Sequence, residues 1–224
     1  MISFRSGLRL PKIQRPRVLK TPASVRRPPW IRNEVYFPII DDQGQTGMCA
    51  AYSFIAGVQA FRWREFDIVE NLDERPLYDA ASRHAGQVDP QRQMGLSLED
   101  VLAVANDVLP VRIKETVEMT DPDDLPWFVQ HFGWVYAGLQ ITRGWMDARP
   151  DGSIPEGRNP MTGVNYDESV GGHALPIPSY DFKRDQVIYP NSWGTKAGCG
   201  GLFVSTREQF RRQFVYGYGV KFEV

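Results

Sequence analysis

The chain of 224 residues contains only two cysteines, Cys49 and Cys199, so disulfides cannot form the framework of its fold. Secreted proteins of this size often carry several disulfides, and this scarcity indicates a reducing compartment or a bacterial source. The sequence also lacks an apolar run near the roughly 18 residues of a membrane span. It has no Cys-x-x-Cys pair, no His-x-x-x-His pair and no phosphate-binding loop. We therefore expect no membrane segment, no metal and no cofactor.

The first eight residues, MISFRSGL, lack the apolar core of a signal peptide. We expect a cytoplasmic protein, or one that is exported without a cleaved signal peptide. The composition, with 42% hydrophobic and 24% charged residues, is that of a globular chain and excludes disorder throughout. The length suits one large domain or two modest lobes.

Acidic residues are absent from residues 1–33, which carry nine Lys or Arg, whereas the rest of the chain has 17 basic and 27 acidic residues. Five of the 17 prolines also lie in this segment. We interpret it as an extended basic arm that docks on an acidic body near Trp30 and Ile31. Aromatic residues hardly interleave with the basic ones, so we expect no nucleic-acid partner.

Two segments carry the groups that a cysteine-dependent acyl-transfer site requires. Residues 43–53 read QGQTGMCAAYS, and residues 171–174 and 189–195 read GGHA and YPNSWGT. They supply a thiol at Cys49, an imidazole at His173, a carboxamide at Asn191 and a second amide at Gln43. Each also has an ordinary structural reading, as a buried small residue, a core histidine or a loop cap. The order of the four residues and their glycine-rich flanks favour a catalytic role over these structural ones.

A helix is predicted from Cys49 onward, because apolar residues recur at positions 51, 54, 55, 58 and 61. Gly57 within this helix indicates a close packing contact. The thiol would lie at the helix N-terminus, where unpaired N–H groups favour an anion, so we expect a lowered thiol pKa.

Elsewhere the first half of the chain is dominated by helical patterns and the second half by strand patterns, which predicts an α+β fold. Helices are predicted over 97–109, with a capping box at Ser97, and over about 121–131. Residues 145–170 read as a loop. Strands are predicted over 134–141, 173–180, 186–191, 201–204 and 216–224. The turn 181–185 would form a hairpin that returns Asn191 beside His173.

The order Gln, Cys, His, Asn and the flanking glycines resemble the papain-like cysteine peptidases of the C1 type, over about residues 35–224. The resemblance implies a two-lobed fold with the active site in the cleft between the lobes. A helical lobe would span about 34–132 and a β-barrel-like lobe about 133–224. It implies that Cys49 is the nucleophile, His173 the general base and acid, Asn191 its orienting partner and Gln43 an oxyanion donor.

The resemblance also implies substrate contacts. A glycine-containing loop before the second helix places Gly95 and Leu96 in the cleft, and Gly47 and Gly172 would allow close approach of backbone. Trp193 matches the tryptophan that shields the His–Asn hydrogen bond from water. About 40 residues precede Gln43, which we take as too few for the family's helical propeptide.

Several positions depart from the family pattern. Ala50 follows the nucleophile where an aromatic residue is usual, and Met48 stands in place of Ser. Thr46 replaces a cysteine, so we expect no structural disulfide. Ala197 replaces a second tryptophan in the NSWG segment. We expect a divergent bacterial or viral member.

The predicted function is that of a thiol peptidase that cleaves protein or peptide substrates through an acyl-thioester on Cys49. One alternative is a specialised acyl transferase or deamidase with the same Cys-His-Asn site. Another is a catalytically silent peptide-binding module. The sequence does not indicate an oligomeric state.

Overall fold

A computed structural model describes residues 30–89, 91 and 93–223. Seven helices and eight strands form in this part of the chain. The helices are α1 (Cys49–Phe66), α2 (Arg75–His84), α3 (Leu98–Leu102), α4 (Ala105–Val108), α5 (Leu125–Phe132), α6 (Arg143–Met146) and α7 (Arg207–Gln213). The strands are β1 (Trp30–Arg32), β2 (Ile113–Met119), β3 (Val135–Thr142), β4 (Ser169–Ile177), β5 (Ser179–Asp181), β6 (Gln186–Pro190), β7 (Leu202–Thr206) and β8 (Phe214–Phe222).

The strands form two four-stranded antiparallel sheets, in the orders β2-β8-β3-β4 and β1-β5-β6-β7. Two hydrophobic cores accompany them. The first lies around α1, α2 and α3, and the second lies among β3, β4, β6 and β7. Within the described residues, every helix is too short or too polar to cross a membrane.

Helix α1 begins at Cys49, as the sequence predicts, and all five apolar positions of the predicted stripe are buried. Burial extends beyond the stripe, because Ala50, Ser53 and Gly57 on other faces are buried too. The helix is thus central to its lobe and does not lie on its surface. Gly57 is the close contact: a Cβ there would lie 2.2 Å from the Trp134 indole.

The predicted helix over 97–109 is two short helices, α3 and α4. The capping box at Ser97 is present, with Ser97 Oγ and the Asp100 carboxylate each accepting the other's backbone N–H. Asn106 in α4 then accepts the Ile113 N–H at 2.7 Å. Helix α4 therefore contacts the first residue of β2 through this hydrogen bond.

The predicted strand over 173–180 is divided between β4 and β5, which belong to different sheets. Pro178 lies between them, and a proline cannot donate a ladder hydrogen bond, so the strand ends there. The predicted hairpin through 181–185 joins β5 and β6. Asn191, directly after β6, therefore reaches His173 from the other sheet.

Helix α5 packs in the second core through Leu125, Phe128 and Phe132. Residues 125–132 therefore pack with the β-rich lobe, although the sequence analysis assigns them to the helical lobe. Strand β1 pairs with β5, and Ile31 packs against the second core. The predicted anchoring by Trp30 is wrong, because its side chain is 56% exposed. Most of the basic arm, residues 1–29, lies outside the described residues.

Candidate active site

The thiol of Cys49 lies where the two lobes meet. Cys49 is the first residue of α1 and has no exposed surface. The backbone N–H groups of Ala174 in β4 and Ala50 in α1 lie close enough to its sulfur to act to lower its pKa. The Tyr136 hydroxyl donates to the Ala50 carbonyl at 2.9 Å, which ties the start of α1 to β3. The thiol is therefore held beside residue 174, the neighbour of His173.

Gly47 sets the approach to α1. Its N–H donates to the Gln93 carbonyl at 2.9 Å, and a Cβ at this position would lie 2.3 Å from that carbonyl oxygen. Only a glycine fits so close to the backbone of 93–95. Gly47 is buried, and it packs the loop before the nucleophile against this segment.

His173 and Asn191 are joined as predicted. The Nε2 of His173 and the Oδ1 of Asn191 are 2.9 Å apart, and both residues are buried. An amide oxygen only accepts, so Nε2 carries the proton and Nδ1 is left as the acceptor. The Trp193 ring covers the imidazole, with centroids 5.1 Å apart and an interplanar angle of 32°. This contact fits the shielding role that the resemblance implies for Trp193.

Gln43 is held by the Asn191–Trp193 segment. The Ser192 hydroxyl donates to Gln43 Oε1 at 2.5 Å, and Gln43 Nε2 donates to the Thr46 carbonyl at 2.8 Å. These two contacts fix the amide, and one N–H of Nε2 remains for another acceptor. No role was predicted for Ser192, although it lies inside the NSWG segment that carries the resemblance.

Burial has the largest effect on the pKa values of Cys49 and His173. Burial raises the pKa of the Cys49 thiol to about 11, although the N–H groups of Ala174, Ala50 and Cys49 itself act in the opposite direction. Burial also lowers the pKa of His173 to about 4, against the hydrogen bond that its Nε2–H donates to Asn191. The predicted lowering of the thiol pKa is thus wrong for this structure. Near pH 7 the thiol is protonated and the imidazole is neutral.

A narrow crevice runs beside His173. Residues of the 43–46 loop form one wall, and Gly171, Gly172 and His173 form the other, with Trp193 at its end. Gly172 therefore lies where the sequence analysis expects it. Gly95 is half-buried, next to Gly47. Leu96 is fully buried in the first core, so the expectation that it lines the cleft is wrong.

Both cysteines are free in the structure: Cys49 is buried and Cys199 is exposed. In the part of the chain that the structure describes, no three His, Cys, Asp or Glu side chains gather closely enough to hold a metal ion.

Cysteine proteases are among the solved structures that match this fold. Xylellain, a cysteine protease from Xylella fastidiosa, matches with a TM-score of 0.79 at 19% identity over 98% of this chain and 97% of that chain. Procathepsin B S9 from Trypanosoma congolense matches with a TM-score of 0.74 at 12% identity, over 98% and 87%. Digestive procathepsin L 3 from Tenebrio molitor gives a TM-score of 0.67 at 14% identity, over 98% and 76%.

No family model and no curated protein matches the chain by sequence. The structural likeness nevertheless confirms the predicted fold. The chain has the α+β papain-like fold, with a helical and a β-rich lobe.

Proposed function

We propose that the protein is a cysteine peptidase that hydrolyses peptide bonds through an acyl-thioester on Cys49. The observation that carries the proposal is that the Cys49 thiol lies beside Ala174, the chain neighbour of His173, whose Nε2 is 2.9 Å from Asn191 Oδ1. The fold likeness to solved cysteine proteases supports it.

In the first step, His173 takes the thiol proton on Nδ1, and the sulfur attacks the substrate carbonyl. A neutral imidazole is required for this, and the lowered pKa of His173 keeps it neutral above about pH 4. Because burial raises the pKa of the thiol, the proton leaves as attack proceeds and not beforehand. The imidazolium that forms is held by Asn191 through Nε2–H.

The oxyanion that develops would lie at the N-terminus of α1. The N–H of Cys49 has no intrahelical partner there, and the remaining N–H of Gln43 Nε2 is the second donor. One such donor is typically worth about 3–4 kcal/mol at the transition state. His173 then protonates the leaving amine, the C–N bond breaks, and a thioester remains. Water attacks the thioester with His173 again as base, which restores the thiol.

The burial of Cys49 favours a second candidate, a catalytically silent module that binds peptides in the cleft. A sulfur with no exposed surface reaches a carbonyl only if neighbouring side chains move. An acyl transferase or deamidase would use the same groups and differ only in the acceptor.

Turnover of a peptide library by wild type, Cys49→Ala and His173→Ala tests the proposal. Cys199→Ala is the matched control, because it removes the exposed thiol and leaves the buried one. We expect hydrolysis by wild type and the control and none by the other two. Equal hydrolysis by Cys49→Ala and wild type would end the proposal. Peptide binding without turnover in wild type would favour the silent module, and turnover only with an added amine would favour the transferase.

A further inference from the structure

Tyr136 joins the β-rich lobe to the helix that carries the thiol. Along β3, Val135 and Ala137 face the second core and Tyr136 faces the first, because successive strand residues point to opposite sides of a sheet. The Tyr136 side chain is fully buried. Its hydroxyl donates to the Ala50 carbonyl at 2.9 Å, and its ring meets Phe54, one turn further along α1, with centroids 5.2 Å apart. Tyr136 therefore contacts the first two turns of the helix.

The first turn of α1 has no large side chain of its own to fix its position. Cys49, Ala50 and Ala51 begin the helix, and all three are small and fully buried. Ala174 of β4, whose N–H lies close to the sulfur, is small as well. Apolar contact between such residues is not directional, whereas a hydrogen bond fixes both a distance and an angle. The bond from Tyr136 therefore supplies a directional contact that packing of small residues lacks.

Strand β3 also holds the candidate general base. In the antiparallel ladder of β3 and β4, Ala174 and His173 pair with residues 138 and 139. The backbone of β3 thus fixes the position of His173, and its Tyr136 side chain contacts the helix that begins with Cys49. One short segment of β3 therefore determines where the imidazole and the thiol lie relative to each other.

The Tyr136 hydroxyl stays a donor at every pH that matters here. Burial raises the pKa of Tyr136 well above its usual value, so the phenol keeps its proton. The Ala50 carbonyl has two lone pairs, and the helical hydrogen bond from the residue four positions further on uses only one of them. The contact therefore persists throughout the range above about pH 4 in which His173 is a neutral base.

Resting on the proposed function, we propose that Tyr136 is a positioning residue, whose hydrogen bond to Ala50 holds the Cys49 sulfur within reach of His173 and of the substrate carbonyl. Tyr136 acts through the backbone of α1 and not on the substrate. A displacement of reacting groups by about 1 Å can cost on the order of 100-fold in rate. Loss of the bond should therefore lower the rate of acylation and leave substrate affinity nearly unchanged.

Single-turnover acylation by a small activated ester, benzyloxycarbonyl-glycine p-nitrophenyl ester, measures this rate through the release of p-nitrophenolate. The sulfur bonds to the acyl carbon, the ester C–O bond breaks, and the thiol proton passes to His173. Tyr136→Phe should lower the acylation rate constant about 10-fold and change the half-saturating ester concentration less than about two-fold. Replacement of Tyr136 by 4-aminophenylalanine, which keeps an N–H donor, should restore most of the rate. Replacement by 4-methylphenylalanine, which keeps only the bulk, should not.

Tyr218→Phe is the matched control. Tyr218 pairs with Tyr136 across β3 and β8, is buried in the same core, and donates to the Glu99 carboxylate of α3 at 2.6 Å. The control thus removes a buried tyrosine hydroxyl whose partner lies in α3 and not in α1, and we expect the wild-type acylation rate. A second measurement needs no turnover: the amide resonance of Cys49 in NMR spectra of cysteine-labelled protein, assigned with Cys199→Ala. It should shift in Tyr136→Phe and not in Tyr218→Phe.

Failure of this inference and failure of the proposed function are separable. Equal acylation by Tyr136→Phe and wild type, an equal loss in Tyr218→Phe, or full activity with 4-methylphenylalanine would overturn the positioning role, while acylation would still support the peptidase. Absence of acylation in wild type would overturn the proposed function. In that case a shift of the Cys49 resonance in Tyr136→Phe alone would still support positioning of the thiol, and an unchanged resonance would overturn it. If Tyr136→Phe does not fold, the comparison of 4-aminophenylalanine with 4-methylphenylalanine decides in the same way.

Discussion

The pKa of His173 gives a prediction that can be worked out in numbers. The imidazole is buried and neutral, and burial lowers its pKa from an ordinary 6.5 to about 4. In the unfolded chain the same group titrates near its ordinary value. Protonation therefore favours unfolding, and the perturbation is simply a decrease in pH.

The sign follows from proton counts. Between pH 6.5 and 4 the unfolded state binds the proton and the folded state does not, so stability rises with pH across this window. The contribution of His173 is present in full above pH 6.5 and is lost as the pH falls towards 4. With about 1.4 kcal/mol per pH unit, the total is about 3 kcal/mol.

Glu74 also affects how the stability of wild type depends on pH. Burial, together with the nearby Asp41 carboxylate, raises the pKa of Glu74 to about 7. Between pH 4.5 and about 7, the Glu74 carboxyl is protonated in the folded state and ionised in the unfolded state. Its contribution to the free energy of unfolding therefore falls as the pH rises. The two slopes oppose each other, and only a difference between variants isolates His173.

Urea unfolding of wild type, His173→Gln and His84→Gln at pH 7, 6, 5 and 4.5 provides that difference. Relative to His173→Gln, wild type should lose about 1 kcal/mol per pH unit below pH 6. His84 is exposed, and its substitution is the matched loss of an imidazole. Parallel curves for wild type and His173→Gln would refute the account of a buried neutral histidine.

Other substitutions test separate contacts. Gly57→Ala should lower the free energy of unfolding by about 1–3 kcal/mol in urea, since the Cβ would meet the Trp134 indole at 2.2 Å, and a Trp134→Leu background should abolish the loss. Glu74→Gln should raise stability at pH 8 by on the order of 2 kcal/mol and much less at pH 5, because burial penalises the carboxylate; equal effects at both pH values would contradict this. Asn191→Ala should reduce kcat less than His173→Ala does, because it removes an orienting group; equal losses would assign Asn191 more than orientation. Deletion of residues 1–20 should leave turnover nearly unchanged; a many-fold rise would show instead that the basic arm blocks the cleft.

Local patterns were sufficient for the parts of the fold that carry the chemistry. An apolar stripe from Cys49 onward predicted helix α1. The family resemblance predicted the contact between His173 and Asn191. Some elements were missed. Helix α2 was missed although its buried residues lie on one face, and β2 is an edge strand with charged residues on its exposed face.

Burial could not be predicted from the sequence, and it accounts for the errors at the site. A helix N-terminus lowers the pKa of a thiol only if solvent or other charges support the anion, and the packing of β4 against α1 removes that solvent. Leu96 follows a glycine that suggested a cleft, yet its side chain fills the core. Both outcomes depend on contacts between residues that are far apart in the chain.

The proposed function depends on a covalent acyl intermediate at Cys49. The most direct measurement is intact-mass spectrometry of protein quenched in acid within the first turnover of a small activated ester, benzyloxycarbonyl-glycine p-nitrophenyl ester, followed by digestion to locate the added acyl group. We predict one acyl group per chain on Cys49, its absence in Cys49→Ala, and an unchanged yield in Cys199→Ala. An acyl group found only on the exposed Cys199, or ester hydrolysis at the wild-type rate in Cys49→Ala, would contradict it.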